Sequence, residues 1–252
     1  MKLYGLIGYP LSHSFSQAYF RKKFKNEGYL NCDYLNFPIK DISEITDIIE
    51  EYPKLKGFNV TIPYKEHIIR FLDDIDPVAD EIAAVNTVKI VREDNKKTLL
   101  KGYNTDVYGF GQSLRPLLLK KHKHALILGT GGASKAVAFV LKSLDIDYKF
   151  VSRNPQSGLS VHYREFDKTL ILKHTLIINT TPIGMFPDIE LFPDIPFEYI
   201  NKSHLLYDLI YNPLKTKFLE KGEIHGARIN NGYKMLELQA EKAWDIFNQK
   251  NF

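Results

Sequence analysis

The chain has 252 residues, 44% of them hydrophobic, a formal net charge of +4 and a single cysteine, Cys32. That length suits one large domain or two modest ones, and the apolar fraction is enough to build a core. A lone cysteine excludes an intramolecular disulfide and argues against a cysteine-built metal site. No apolar run approaches the ~20 residues needed to span a bilayer, and the scattered charges of a chain with pI near 8.8 do not mark a nucleic-acid binder.

Short apolar runs alternate with helical periodicity from end to end. Leu3–Ile7 reads as a strand, and Met1–Leu6 lacks the parts of a signal peptide. A reducing cytoplasm is therefore the expected compartment. Ser16–Glu27 then carries Ala18, Tyr19, Phe20 and Phe24 at helical spacing, Tyr34–Phe37 is a second strand, Ile42–Ile49 a helix and Gly57–Ile62 a third strand. This β-α-β-α-β rhythm predicts an α/β fold with a mainly parallel sheet. Thr87–Val91 and Thr98–Lys101 flank the polar run 92–97 and predict a hairpin. Asp106–Leu119 reads as a helix joining two halves of the chain. A second α/β series follows: a strand at Ala125–Leu128, a helix at Ala133–Leu144, strands at Tyr148–Val151, Leu176–Asn179 and Leu205–Asp208, and an amphipathic helix at Tyr233–Phe247.

The run Ala125–Ser134 is a strand, a glycine turn and a helix start. Gly129 suits the tight turn, and Gly131 leaves room for a pyrophosphate to approach the backbone at the new helix N-terminus. Ser134 stands where the dinucleotide fingerprint has its third glycine or alanine. A tight β-α turn without a ligand is the alternative. NAD-selective folds place a carboxylate at the end of the next strand to accept from the ribose hydroxyls. Here that stretch is Ser152-Arg153-Asn154, and Arg153 can instead bind a 2′-phosphate.

The first half carries a polar constellation. On the strand Gly57–Ile62, period 2 puts Phe58, Val60 and Ile62 on one face and Asn59 and Thr61 on the other. Pro63 ends the strand, and Lys65 follows at the expected start of the next helix. Ser12, His13, Ser14 and Ser16 form either an N-cap cluster or a donor set for a ligand. Taken alone, Lys65 also reads as a surface lysine and Asp106 as a helix cap.

Eight motifs in one order resemble the shikimate dehydrogenase family over nearly the whole chain. They begin at Gly8 (GYPLSHSFS), Asn59 (NVTIPYK), Ala84 (AVNTV), Gly102 (GYNTD), Gly129 (GTGGA), Asn179 (NTTPIGM), Tyr211 (YNP) and Asn231 (NGYKMLELQ). The resemblance implies a substrate-binding catalytic domain over 1–105, completed by the helix 232–252, and a Rossmann-like NADP domain over 106–231, with the active site in the cleft. By family pattern Lys65 and Asp106 are the catalytic pair. Ser14 and Ser16 would hold the substrate carboxylate, and Asn59, Thr61, Asn86 and Gln239 the ring hydroxyls, with Tyr211 near the substrate. Gly129, Gly131, Gly132, Ala133, Ser152, Arg153, Asn154, Asn179, Thr180, Leu209 and Gly232 would line the cofactor, NADP. No metal is implied. The partners are shikimate and 3-dehydroshikimate, without nucleic acid or membrane, and the enzyme is expected to be a monomer or homodimer.

The chain departs from the family pattern at Gln17, usually proline, at Ala83, usually glycine, and at Ser157, where a second basic residue is frequent; it is also short between Arg153 and Leu176. Two other functions share these motifs: oxidation of quinate or a related cyclic polyol acid, and a non-catalytic NADP- or shikimate-binding regulator. Intact Lys65 and Asp106 argue against the regulator.

Overall fold

The computed structural model describes residues 1–11, 14–92, 97–155 and 160–249. The chain divides into two compact units, Met1–Thr105 with Gln239–Phe252, and Asp106–Leu238. In chain order the first contains β1 (Lys2–Gly8), α1 (Phe15–Asn26), β2 (Cys32–Pro38), α2 (Ile45–Glu51), β3 (Leu55–Val60), β4 (Asp74–Ile75), α3 (Pro77–Ile82), β5 (Thr87–Val91) and β6 (Leu99–Tyr103). The helix α4 (Thr105–Leu114) leads into the second, which contains β7 (His124–Leu128), α5 (Gly132–Ser143), β8 (Asp147–Ser152), β9 (Ser160–His162), α6 (Lys168–Lys173), β10 (Leu176–Asn179), β11 (Leu205–Asp208), α7 (Lys217–Ile224) and β12 (Arg228–Asn230). The first unit takes up the chain again at Gln239, within α8 (Tyr233–Asn248).

Among the described residues, the first unit's sheet has the order β2-β1-β3-β5-β6-β4. β1 pairs in parallel with β2 and β3, while β5 runs antiparallel to β3 and β6. β1 is buried from Leu3 to Gly8 because both its faces are covered, which is why it reads as a continuous apolar run. Alternation sends Leu3 and Ile7 into a core with Ile42, Ile45 and Ile48, and Tyr4 and Leu6 into a second core with Phe20 and Phe24 of α1. Ala240, Ala243, Trp244 and Phe247, one face of α8, complete that second core. Tyr4 meets Trp244 edge-on at 5.2 Å between ring centroids and stacks on Phe247 at 5.1 Å.

The second unit's sheet is parallel throughout, in the order β12-β11-β10-β7-β8-β9. Counted from β7 as the first strand, this is the 3-2-1-4-5-6 order of a dinucleotide-binding fold. Ala125, Ile127, Ile178 and Tyr207 face one core, and Leu126, Leu128, Ile177 and Leu206 the other. The order reverses between β7 and β10, and ligands of open α/β sheets bind at such a switch point, beyond the strands' carboxyl ends.

The α/β reading holds, with local differences. The predicted strand Gly57–Ile62 ends at Val60, leaving Ile62 67% exposed, so the apolar face stops at Phe58 and Val60. Pro63 accounts for this, since it offers no N–H to a ladder. Lys65 does not open a helix; it sits in a turn before the 3₁₀ segment His67–Phe71. The expected helix Ile42–Ile49 starts as a 3₁₀ turn, Ile42–Glu44, under a capping box made by Asp41 and Glu44. The expected helix Asp106–Leu119 stops at Leu114, and Pro116 confines the rest to a 3₁₀ turn, Arg115–Leu117. The tip of the predicted hairpin lies outside the described residues, but β5 and β6 pair antiparallel as expected. No helix among the described residues is long and apolar enough to cross a membrane.

Candidate active site

In the first unit the polar residues gather at one end of the sheet. β1 and β3 are parallel and β5 is antiparallel to β3, so the carboxyl ends of β1 and β3 meet the amino end of β5, with Asn59 opposite Thr87. Asn59 is braced on both sides. Its Oδ1 accepts from the Tyr34 hydroxyl at 2.8 Å, and its Nδ2 donates to Thr87 Oγ1 at 2.9 Å and to the Asn86 carbonyl at 3.3 Å. Asn86, 4% exposed, uses its Oδ1 to accept from the Thr105 N–H at 2.8 Å and from the Thr87 and Thr105 hydroxyls at 3.1 Å each. One carbonyl thus fixes where α4 begins, immediately before Asp106. That aspartate, 2% exposed, lies in the first turn of α4, where a negative charge complements the helix dipole. Lys65 is half-buried, and its carbonyl accepts from the Val85 N–H at 2.8 Å, tying its backbone to the segment that leads through Asn86 into β5.

Ser14 is the N-cap of α1, yet its side chain makes no capping hydrogen bond. Its hydroxyl oxygen is buried and has no hydrogen-bond partner among the described residues. A buried hydroxyl without a partner costs roughly 1–3 kcal/mol, and this one is not spent on capping the helix. Ser12 and His13 lie outside the described residues. Ser16, in the first turn of α1, acts on the Tyr34 phenol, whose ionisation is pushed well up, first by burial. Thr61 donates its N–H to the Ile7 carbonyl at 2.9 Å, just beyond the ends of β1 and β3.

In the second unit the glycine turn sits at the switch point. Gly129 has φ +107° and donates its N–H to the Val151 carbonyl at 2.9 Å. A side chain there would also crowd Thr180 and Thr181. A Cβ on Gly131 would meet nothing within 4 Å, so the protein leaves open the space that a pyrophosphate needs in front of the α5 N-terminus. Ser134 is compatible with the fingerprint because its buried hydroxyl donates to the Gly131 carbonyl at 2.6 Å. On the far side of the switch point, Thr180 sends its N–H and hydroxyl to the Leu128 carbonyl at 3.0 and 2.7 Å. Arg153 is exposed just past β8, and Ser152 accepts from the Asn154 N–H at 3.1 Å. Gly132 opens α5, followed by Ala133. Gly232 donates to the Ile210 carbonyl at 3.0 Å, and a side chain on it would overlap the Leu209 carbonyl. These donors and spaces fit a dinucleotide phosphate at the switch point.

The family model described as the shikimate dehydrogenase substrate binding domain matches residues 6–88. The chain is 38% identical to the shikimate dehydrogenase (NADP(+)) of Methanococcus maripaludis, over 98% of its own length and 91% of the relative's. The chain belongs to the shikimate dehydrogenase family. Among solved structures, shikimate dehydrogenase 1 from Peptoclostridium difficile is 36% identical with a TM-score of 0.84, covering 100% of this chain and 93% of that one. Shikimate 5-dehydrogenase from Thermus thermophilus, solved in complex with NADP(H) and shikimate, is 28% identical with a TM-score of 0.84, covering 98% and 94%.

Two departures from the shikimate dehydrogenase pattern have local consequences. Gln17 replaces proline inside the first turn of α1 and donates its Nε2 to the Tyr34 carbonyl at 3.1 Å, tying the helix to β2. Ala83 caps α3 in the left-handed conformation, φ 55° and ψ 41°, where glycine carries no Cβ penalty. Ala83→Gly is therefore expected to stabilise the protein by about 0.5–1 kcal/mol. Thermal melts of the two proteins check this, and equal melting temperatures would mean that the Cβ costs nothing there. Ser157 lies outside the described residues.

The structure also brings forward two residues that motif spacing did not single out. Tyr34 is fully buried, stacked on Phe20 at 4.5 Å, and links α1 to Asn59; its signal in sequence was only a tyrosine within a strand. Asp208 ends β11 with 0% exposure. Burial pushes its carboxyl up to about 6, against three hydrogen bonds that favour the charged form. A carboxylate closing the apolar run Leu205–Tyr207 was the available signal.

Proposed function

We infer that this chain is an NADP-dependent shikimate dehydrogenase that reversibly reduces 3-dehydroshikimate to shikimate, a step of aromatic amino acid biosynthesis. The observation that carries the substrate is Ser14, a helix N-cap whose buried hydroxyl is left over from the fold. With Ser16 it offers two donors to a carboxylate. Asn59, Thr61, Asn86 and Gln239 address the ring hydroxyls, and Tyr211 completes the set. The open space at Gly131 and the arginine in place of a carboxylate after β8 support NADP, held by Gly129, Gly131, Gly132, Ala133, Ser152, Arg153, Asn154, Asn179, Thr180, Leu209 and Gly232. Residues 1–105 with the C-terminal helix form the substrate-binding part, and the chain between them the nucleotide-binding part.

The cofactor, when bound, supplies or accepts the hydride. The protein handles the proton. Reduction of a ring carbonyl leaves negative charge on its oxygen, and the Lys65 ammonium stabilises that charge and donates a proton to it. The Asp106 carboxylate orients the ammonium. In the oxidative direction Lys65 takes the hydroxyl proton back. A lone Cys32 and a nicotinamide cofactor suit the cytoplasm, where the enzyme would act as a monomer or homodimer.

An assay of nicotinamide absorbance with shikimate or quinate, each with NADP⁺ or NAD⁺, tests the reading. Shikimate with NADP⁺ is expected to be the fastest combination. Arg153 supplies one charge-assisted bond, so NADP⁺ should be favoured by roughly tenfold in kcat/KM. Equal values for the two cofactors would remove Arg153 from the selectivity. Faster turnover of quinate would replace the substrate, and binding without turnover would favour the regulator.

A further inference from the structure

The Asp208 carboxylate gathers three donors from three separate segments. One oxygen accepts from Asn179 Nδ2, at the end of β10, and from the Ile210 N–H, on the chain leaving β11, each at 3.1 Å. The other accepts from the hydroxyl of Thr216, the N-cap of α7, at 2.6 Å. Asn179 then uses its own Oδ1 to accept from the Thr181 N–H at 3.0 Å and hydroxyl at 2.6 Å, and Thr181 Oγ1 accepts from the Ile183 N–H at 3.3 Å. Hydrogen bonds therefore run unbroken from α7 through both strand ends into the turn at Ile183.

Asp208, Asn179 and Thr216 are each 0% exposed. The carboxylate's ionisation answers to burial and to these three neutral donors. A buried charge held this way is expensive for the fold alone. An acceptor-only group is nevertheless what three converging donors require. One of the turns it joins lies against the glycine turn, where Thr180 is bonded to the Leu128 carbonyl, and the other is tied to Gly232, which donates to the Ile210 carbonyl.

We propose that Asp208 is a positioning residue for the nicotinamide half of the dinucleotide site, holding the turns that carry Asn179, Thr180 and Leu209 in register with Gly129. This rests on reading the second unit as the nucleotide-binding part. There Arg153, beyond β8, takes the adenosine end, which leaves the β10–β11 side of the switch point to the nicotinamide. Asp208 acts through these turns and does not touch the ligand.

The test compares Asp208→Ala and Asp208→Asn with the wild type by calorimetry, using NADP⁺, adenosine 2′,5′-bisphosphate and shikimate as ligands. In folded Asp208→Ala the dissociation constant for NADP⁺ should rise roughly tenfold or more. The bisphosphate carries only the adenosine end, so it and shikimate should bind within about twofold of wild type, inside the ~0.5 kcal/mol expected of changes remote from a site. Asp208→Asn keeps one oxygen for Asn179 and Ile210, so it should recover most of the NADP⁺ affinity. No loss of NADP⁺ affinity, or equal losses for NADP⁺ and the bisphosphate, would overturn the proposal. If Asp208→Ala does not fold, the near-isosteric Thr216→Val frees the second oxygen alone and decides the matter. A loss of roughly threefold or more confined to NADP⁺ supports positioning, and unchanged binding overturns it. A wild type that binds neither NADP⁺ nor the bisphosphate would remove the reading of the second unit, and this proposal with it.

Discussion

Lys65→Ala is expected to lower kcat by roughly 10²–10⁴-fold, the range lost when a positioned acid-base group is removed. Lys65 is half-buried in a turn after β3 and makes its backbone hydrogen bond through its carbonyl, which alanine retains. The fold should therefore survive, and circular dichroism checks that. Shikimate should still bind, because Ser14, Ser16, Asn59 and Thr61 remain. Asp106→Asn keeps the shape of the side chain but removes the charge proposed to support the ammonium, so on that proposal it too should cut kcat. Residues acting as a unit give strongly non-additive losses, and the double variant should be little worse than Lys65→Ala. Steady-state kinetics of the three variants measure this. A folded Lys65→Ala enzyme with near-normal kcat would rule out the proton-transfer role.

Ser14→Ala should raise KM for shikimate by roughly 10–100-fold with little change in kcat. That corresponds to losing a hydrogen bond to a charged group, about 1.5–3 kcal/mol. Because the Ser14 hydroxyl caps nothing, the melting temperature should not fall; loss of a working N-cap would cost about 1 kcal/mol. Ser16→Ala should raise KM as well, with an added effect through Tyr34, on which its hydroxyl acts. Unchanged KM with a lowered melting temperature would return both serines to helix capping.

Much of the architecture was legible because it is written in local patterns. β10 and β11 run over the residues that apolar clustering indicated, and the Gly129 turn lies between a strand and a helix as its glycines require. Short elements were harder. β4, β9 and β12, of two or three residues each, carry too little periodicity to be seen, and they exist by pairing with longer neighbours. The over-long reading of β3 has the same origin: alternation continues through Ile62, but the ladder stops where Pro63 approaches.

By itself the sequence determined the alternating α/β architecture, the glycine turn, the absence of a carboxylate after β8 and the order of the family's motifs, because each is a property of a few consecutive residues. Only the tertiary structure decided which polar groups were already spoken for. Ser14 and Ser16 look alike in the chain, yet one hydroxyl is left without a partner and the other acts on a tyrosine from β2. Asn59 and Asn86 are set by Tyr34, Thr87 and Thr105, and Asn179 by Asp208, 29 residues further on. Buried polar groups must find partners wherever the fold supplies them. Those partners sit on neighbouring strands and turns that parallel crossovers bring together from distant parts of the chain, so no local pattern can announce them.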